Sequence, residues 1–98
     1  MLYKGVMIMT LREAILDALI DDGESIIQIS EYLNFLGFES TESEIIETLN
    51  NLYIGGQMKV VYPREFKEKS LKEFKGEIRE LWFELTTKGK KEWSDIEA

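Results

Sequence analysis

Three times in the first half of the chain a Thr or Ser is followed three positions later by Glu or Gln, and each time an apolar pattern with helical spacing starts there. The strings are Thr10-Leu11-Arg12-Glu13, Ser25-Ile26-Ile27-Gln28 and Thr41-Glu42-Ser43-Glu44. In such a capping box the hydroxyl oxygen accepts from a first-turn amide, while the Glu or Gln side chain accepts from the N–H of the cap residue itself. Three consecutive helices are therefore predicted. The first carries Leu11, Ile15 and Leu19 on one face with Leu16 and Ile20 one step round, and stops at Asp21-Asp22-Gly23. The second places Ile26, Ile29, Leu33 and Leu36 together, with Tyr32 and Phe35 beside them, and stops at Gly37. The third, Thr41 to Tyr53, buries Ile45, Leu49 and Leu52 with Ile46 and Tyr53 and ends at Gly55-Gly56.

From Gln57 the period changes to two. Met58, Val60 and Tyr62 alternate with Lys59 and Val61 until Pro63, which lacks a ladder donor and suits a strand end. The expected partner is Glu77 to Thr86, with Leu81, Phe83 and Leu85 towards the core and Glu80, Trp82 and Glu84 on the opposite face. Between them, Arg64 to Gly76 sets Arg64, Lys67, Lys69, Lys72 and Lys75 against Glu65, Glu68 and Glu73, with Phe66, Leu71 and Phe74 interspersed. Such a stretch reads either as a solvated mixed-charge hairpin or as a mobile one that exposes its aromatics as anchors. A last helix starts within Thr86 to Trp93, capped by a Thr, with Trp93 pinned against the sheet or the first helix. The expected organisation is an extension over residues 1–9 and a single α+β domain over 10–98.

At 98 residues, 44% of them apolar, the chain can build one modest core. The absence of Cys and His removes thiolate nucleophiles, disulfides, the commonest general base and the commonest zinc ligands. Carboxylates remain, but so small a domain offers them no ligand-sized pocket, so no enzyme, cofactor or metal is expected. The cluster Asp21-Asp22-Gly23-Glu24 lacks the spacing of a twelve-residue calcium loop and reads as a helix stop before a cap. No apolar run approaches the roughly 20 residues of a membrane span, and the chain is expected in the cytoplasm. Its net charge of −7 is placed unevenly: up to Gln57, Lys4 and Arg12 face ten carboxylates, whereas beyond it ten cations nearly balance nine acids.

The first helix at Leu11 to Ile20, the helix-turn-helix from Ser25 to Tyr53, the Gly55-Gly56 exit and the string Phe83-Glu84-Leu85-Thr86-Thr87-Lys88-Gly89 resemble the winged helix-turn-helix superfamily of small bacterial, archaeal and phage regulators. The resemblance spans Thr10 to about Trp93. It implies a three-helix bundle, a two-stranded antiparallel wing and a C-terminal helix, with DNA bound through the third helix and the wing. Residues near Ser40 to Asn51 would face bases, and wing cations would face phosphates.

The third helix departs from that pattern. Ser43, Thr48, Asn50 and Asn51 suit base edges, but Glu42, Glu44 and Glu47 would meet phosphates with no cation on the helix to offset them. A good base contact supplies about 1–3 kcal/mol of discrimination, whereas general affinity comes from neutralising phosphates, so repulsion is expected to win. The expected function is thus non-catalytic binding of a protein partner with a basic surface, as an adaptor, inhibitor, immunity-type protein or phage regulator, in a monomer or homodimer. The alternative is a transcription regulator that grips phosphates mainly through the wing, as a dimer. The surface expected to act comprises Glu42, Ser43, Glu44, Glu47, Asn50 and Asn51 of the third helix, with Arg64, Phe66, Lys67, Lys69, Lys72, Phe74, Lys75 and Trp82 in and beside the wing. An outward Trp82 is either an interface anchor or lies under the segment Tyr3 to Ile8 or against Trp93.

Overall fold

The structure, a computed structural model, describes residues 9–97. Its elements run α1 (Leu11–Leu19), β1 (Glu24–Ser25), α2 (Ile26–Phe35), α3 (Glu42–Ile54), β2 (Met58–Tyr62), β3 (Trp82–Leu85) and α4 (Thr87–Glu97). All three capping boxes close in both directions. The Oγ1 of Thr41 accepts from the Glu44 amide at 3.1 Å while Glu44 Oε1 accepts from the Thr41 amide at 2.8 Å, and the boxes of α1 and α2 repeat this geometry. The helical spacing then brings Ala14, Ile15, Leu16 and Leu19 of α1 against Ile26, Ile29 and Leu33 of α2 and Ile45, Leu49 and Leu52 of α3. Each fully buried side chain of this kind contributes about 1.5–3 kcal/mol. Phe35, expected beside that face, is instead 82% exposed at the end of α2, while Leu36 is the residue that packs on the core.

The sheet has three antiparallel strands in the order β1-β3-β2, one more than the expected wing. The extra strand is the short stretch before α2, where Glu24 pairs with Phe83 and Ser25 with Trp82. Two residues are too few to show a period, so the strand has no sequence signature. The expected strand over Glu77 to Thr86 is also shorter, because Ile78–Glu80 forms a 3-10 turn capped by Glu77, whose Oε1 accepts from the Arg79 amide. In β3 the expected alternation holds, with Phe83 and Leu85 in the core and Trp82 and Glu84 outside. In β2 it fails at one point: a register shift between Val60 and Tyr62 turns Tyr62 outwards, opposite Trp82.

The string Leu85-Thr86-Thr87-Lys88-Gly89 closes the fold. Thr86 donates its amide to Gln57 O at 2.9 Å and its hydroxyl to Gly56 O at 2.6 Å, and its Oγ1 accepts from the Gly89 amide at 3.2 Å. Gly56 takes a φ of 85°, a left-handed conformation that strongly favours glycine. α4 is then tied to α1 by the Arg12–Glu92 pair at 2.7 Å and by the Trp93 indole, which donates to Asp17 Oδ1 at 3.0 Å. Trp93 is thus pinned on the first helix, one of the two sites expected for it. Among the described residues no helix is long and apolar enough to cross a membrane.

Candidate functional site

The β2–β3 connection does not stand away from the domain as a mobile arm; it folds back along α3. Leu71, which opens a 3-10 turn over Leu71–Glu73, is 1% exposed in the core and donates its amide to Asn50 Oδ1 at 2.7 Å. Tyr53 donates its hydroxyl to Glu68 O at 2.6 Å. Phe66 meets the edge of Tyr53 at 5.7 Å between ring centroids and Phe74 at 5.3 Å. Two expectations are thereby corrected. Asn50 is buried rather than turned to a ligand, and Phe66, Leu71 and Phe74 are packing groups rather than exposed anchors. An apolar side chain in such a connection gains more by reaching the open flank of α3 than by staying in water.

Docking brings cations to the carboxylates of α3. Lys72 Nζ lies 2.6 Å from Glu47 Oε1, and Arg79 forks onto Glu42 with contacts of 2.8 and 3.0 Å. The hydrogen bonds from Arg79, reinforced by its charge against a small desolvation, hold the Glu42 carboxyl below its ordinary range. The helix itself has no cation, as the sequence reads, but Glu42 and Glu47 are offset from outside it, by Arg79 and Lys72 of the chain's own second half. Such exposed pairs contribute little to stability, about 0–1 kcal/mol each, but they neutralise the face they cross. The third carboxylate, Glu44, accepts from the Thr41 amide as part of the helix cap.

Of the remaining expected residues, Ser43 and Asn51 are exposed on α3, and Arg64, Lys67, Lys69 and Lys75 are exposed along the connection, in no ion pair among the described residues. Trp82 stands apart from this group. On the outer face of the sheet it lines an open cleft of about 460 Å³ with Gly23, Val61, Tyr62 and Glu84. The segment Tyr3 to Ile8, expected as one cover for Trp82, lies outside the described residues.

Sequence reasoning missed Arg79 and Tyr62. Arg79 falls just beyond the run of connection cations, and a bidentate partner 37 residues away leaves no local signal. Tyr62 becomes a surface group only because of the bulge in β2. No family model matches the chain, and neither a curated protein nor a solved structure matches it.

Proposed function

We propose that the chain is a winged-helix protein that works by binding a protein partner and carries out no catalysis. The observation that carries this reading is the state of α3: Glu42 and Glu47 are held by Arg79 and Lys72, and the connection that would serve as the wing is fastened along the helix by Leu71 and Asn50. Carboxylates at hydrogen-bond distance weaken the pull of these two cations on duplex phosphates, and displacing counterions from phosphate is what drives the association of a helix-turn-helix protein with DNA. An excess of carboxylates over cations in the first half adds long-range repulsion of any polyanion. It favours a partner with a basic surface.

The test is a titration of the full chain with random-sequence duplex DNA, followed by fluorescence anisotropy at roughly 50 mM salt, where phosphate binders hold firmly. Absence of binding is the expected result. One observation favours a second reading: Arg64, Lys67, Lys69 and Lys75 stay exposed and outside any described ion pair. Binding that weakens steeply as salt rises would make these four the phosphate contacts of a DNA-binding regulator and set aside the protein-partner reading.

A further inference from the structure

The outer face of the sheet holds a second set of groups, remote from the pairs on α3. Antiparallel register places Tyr62 opposite Trp82 and Lys59 opposite Glu84. Because Phe83 and Leu85 fill the core, Trp82 and Glu84 point the other way, and Trp82 and Tyr62 remain 38% and 59% exposed. Gly23 completes the cleft they line. A Cβ at Gly23 would lie 3.2 Å from Glu84 Cγ and 3.4 Å from Phe83 O, so the lack of a side chain keeps the space beside Glu84 open.

Carboxylates outnumber cations around this cleft. A smaller cleft shares Gly23 and Glu84 with it and adds Asp21 and Asp22, with Lys90 as its cation. None of Asp21, Asp22, Glu24 and Glu84 takes part in an ion pair among the described residues, unlike Glu42 and Glu47 of α3. The Glu24 carboxyl, next to Gly23, is held above its ordinary range by partial burial and by the charge of Asp22, as expected where negative charge is under-compensated. Lys59 is the one cation that the register sets beside Glu84.

Two aromatic side chains beside an unpaired carboxylate have the chemistry that receives a cation: the ring faces attract it electrostatically, and the carboxylate supplies hydrogen-bond acceptors. Guanidinium suits the pair best, since it stacks on a ring while forking onto a carboxylate. Nucleobases would also stack on such rings, but their phosphates would have to approach Glu84, Asp21 and Asp22.

We propose that the cleft between Trp82 and Tyr62 is the docking site for an arginine side chain in a basic segment of a protein partner, with Glu84 as the counter-charge. This rests on the reading that the chain acts through a protein partner, and gives that partner its chemistry and its place on the surface.

The test uses the full-length, isotope-labelled chain and an acetylated peptide of alternating Arg and Gly, with an alternating Glu and Gly peptide as control. Expected are shifts centred on the Trp82 indole and on the Tyr62 and Glu84 amides. Glu84→Gln and Tyr62→Ser should each weaken the peptide by about tenfold, whereas Glu31→Gln, a remote acid, should not. Trp82→Leu should act in the same direction, and the two milder variants keep the test decisive if it fails to fold. Shifts scattered over the acidic surface, or equal loss with Glu31→Gln, would mean only diffuse attraction and overturn the proposal. A Lys4→Ala change that moves the Trp82 indole resonance without peptide would identify the chain's own N-terminal segment as the occupant and also overturn it. Failure of the peptide to bind overturns the docking proposal but leaves the protein-partner reading standing, because the duplex titration judges that reading separately.

Discussion

At Gly89 the first turn of α4 accepts a residue that helices disfavour, and the reason lies across the fold. A Cβ there would sit 2.0 Å from Gln57 O and 3.0 Å from Gln57 C, both backbone atoms at the exit of α3. Gly89→Ala should therefore destabilise the domain by about 1–3 kcal/mol through overpacking, despite a gain of about 1 kcal/mol in helix propensity. A urea melt showing a more stable variant would mean that α4 does not seat against that carbonyl. Glu92 offers a second residue-scale test, in its pH dependence. The hydrogen bond from Arg12 is the largest influence holding its carboxyl below the ordinary range, against some desolvation. A folded-state value below the unfolded one means that the stabilisation is present above the usual carboxylate range and is lost as pH falls through the lowered value. Glu92→Gln should consequently be less stable than the wild type at neutral pH, and the gap should close in acid as the wild type loses the same interaction. A gap that persists unchanged in acid would place the effect in packing rather than in charge.

At the scale of elements, the decisive feature is how the β2–β3 connection is held, and the contributions differ in size. Leu71 is buried among core side chains, whereas the side chains of Lys72 and Glu47 are 56% and 57% exposed in their pair. Leu71→Ala should cost about 2–5 kcal/mol of global stability and Lys72→Ala less than about 1 kcal/mol, both read from chemical denaturation. The reverse ranking would mean that the connection is held by charge and not by its apolar residues. The same element shows where sequence reading stops. The three helix starts were legible because each is a contact between residues three apart, and a Thr cap for the last helix was legible for the same reason. The fastening was not, because Asn50 and Leu71 are 21 residues apart and the connection has no period to say which of its residues turn inwards. A lone Leu between lysines and glutamates looks the same in sequence whether it is a solvated loop residue or the plug that closes a helix flank. The outward turn of Tyr62 was hidden in a similar way, since a bulge inverts the face on which every later residue falls.

For the whole molecule, an overall charge of −7 would by itself discourage contact with a polyanion, but its distribution matters more. The second half, which carries most of the cations, is folded onto the acidic first half, and ion pairs neutralise two of the three glutamates on α3. Among the described residues the carboxylates beside Gly23 and Trp82 take part in no ion pair, so part of the molecule's unpaired negative charge lies on the sheet side. Sequence reading placed the partner surface on α3, the connection and Trp82 together, with the glutamates of α3 at its centre. Spatial pairing instead points to Trp82, the member of that surface which lies apart from the rest. The central claim is that the glutamates of α3 hold the cations that would otherwise face phosphate. The most direct measurement compares the wild type with the double variant Glu42→Gln, Glu47→Gln for binding to a random duplex across a salt series. With Arg79 and Lys72 released, the variant should gain duplex affinity, and its affinity should fall with salt with a slope up to about two steeper on the log–log plot. Equal binding by both proteins, with the same salt dependence, would contradict the claim.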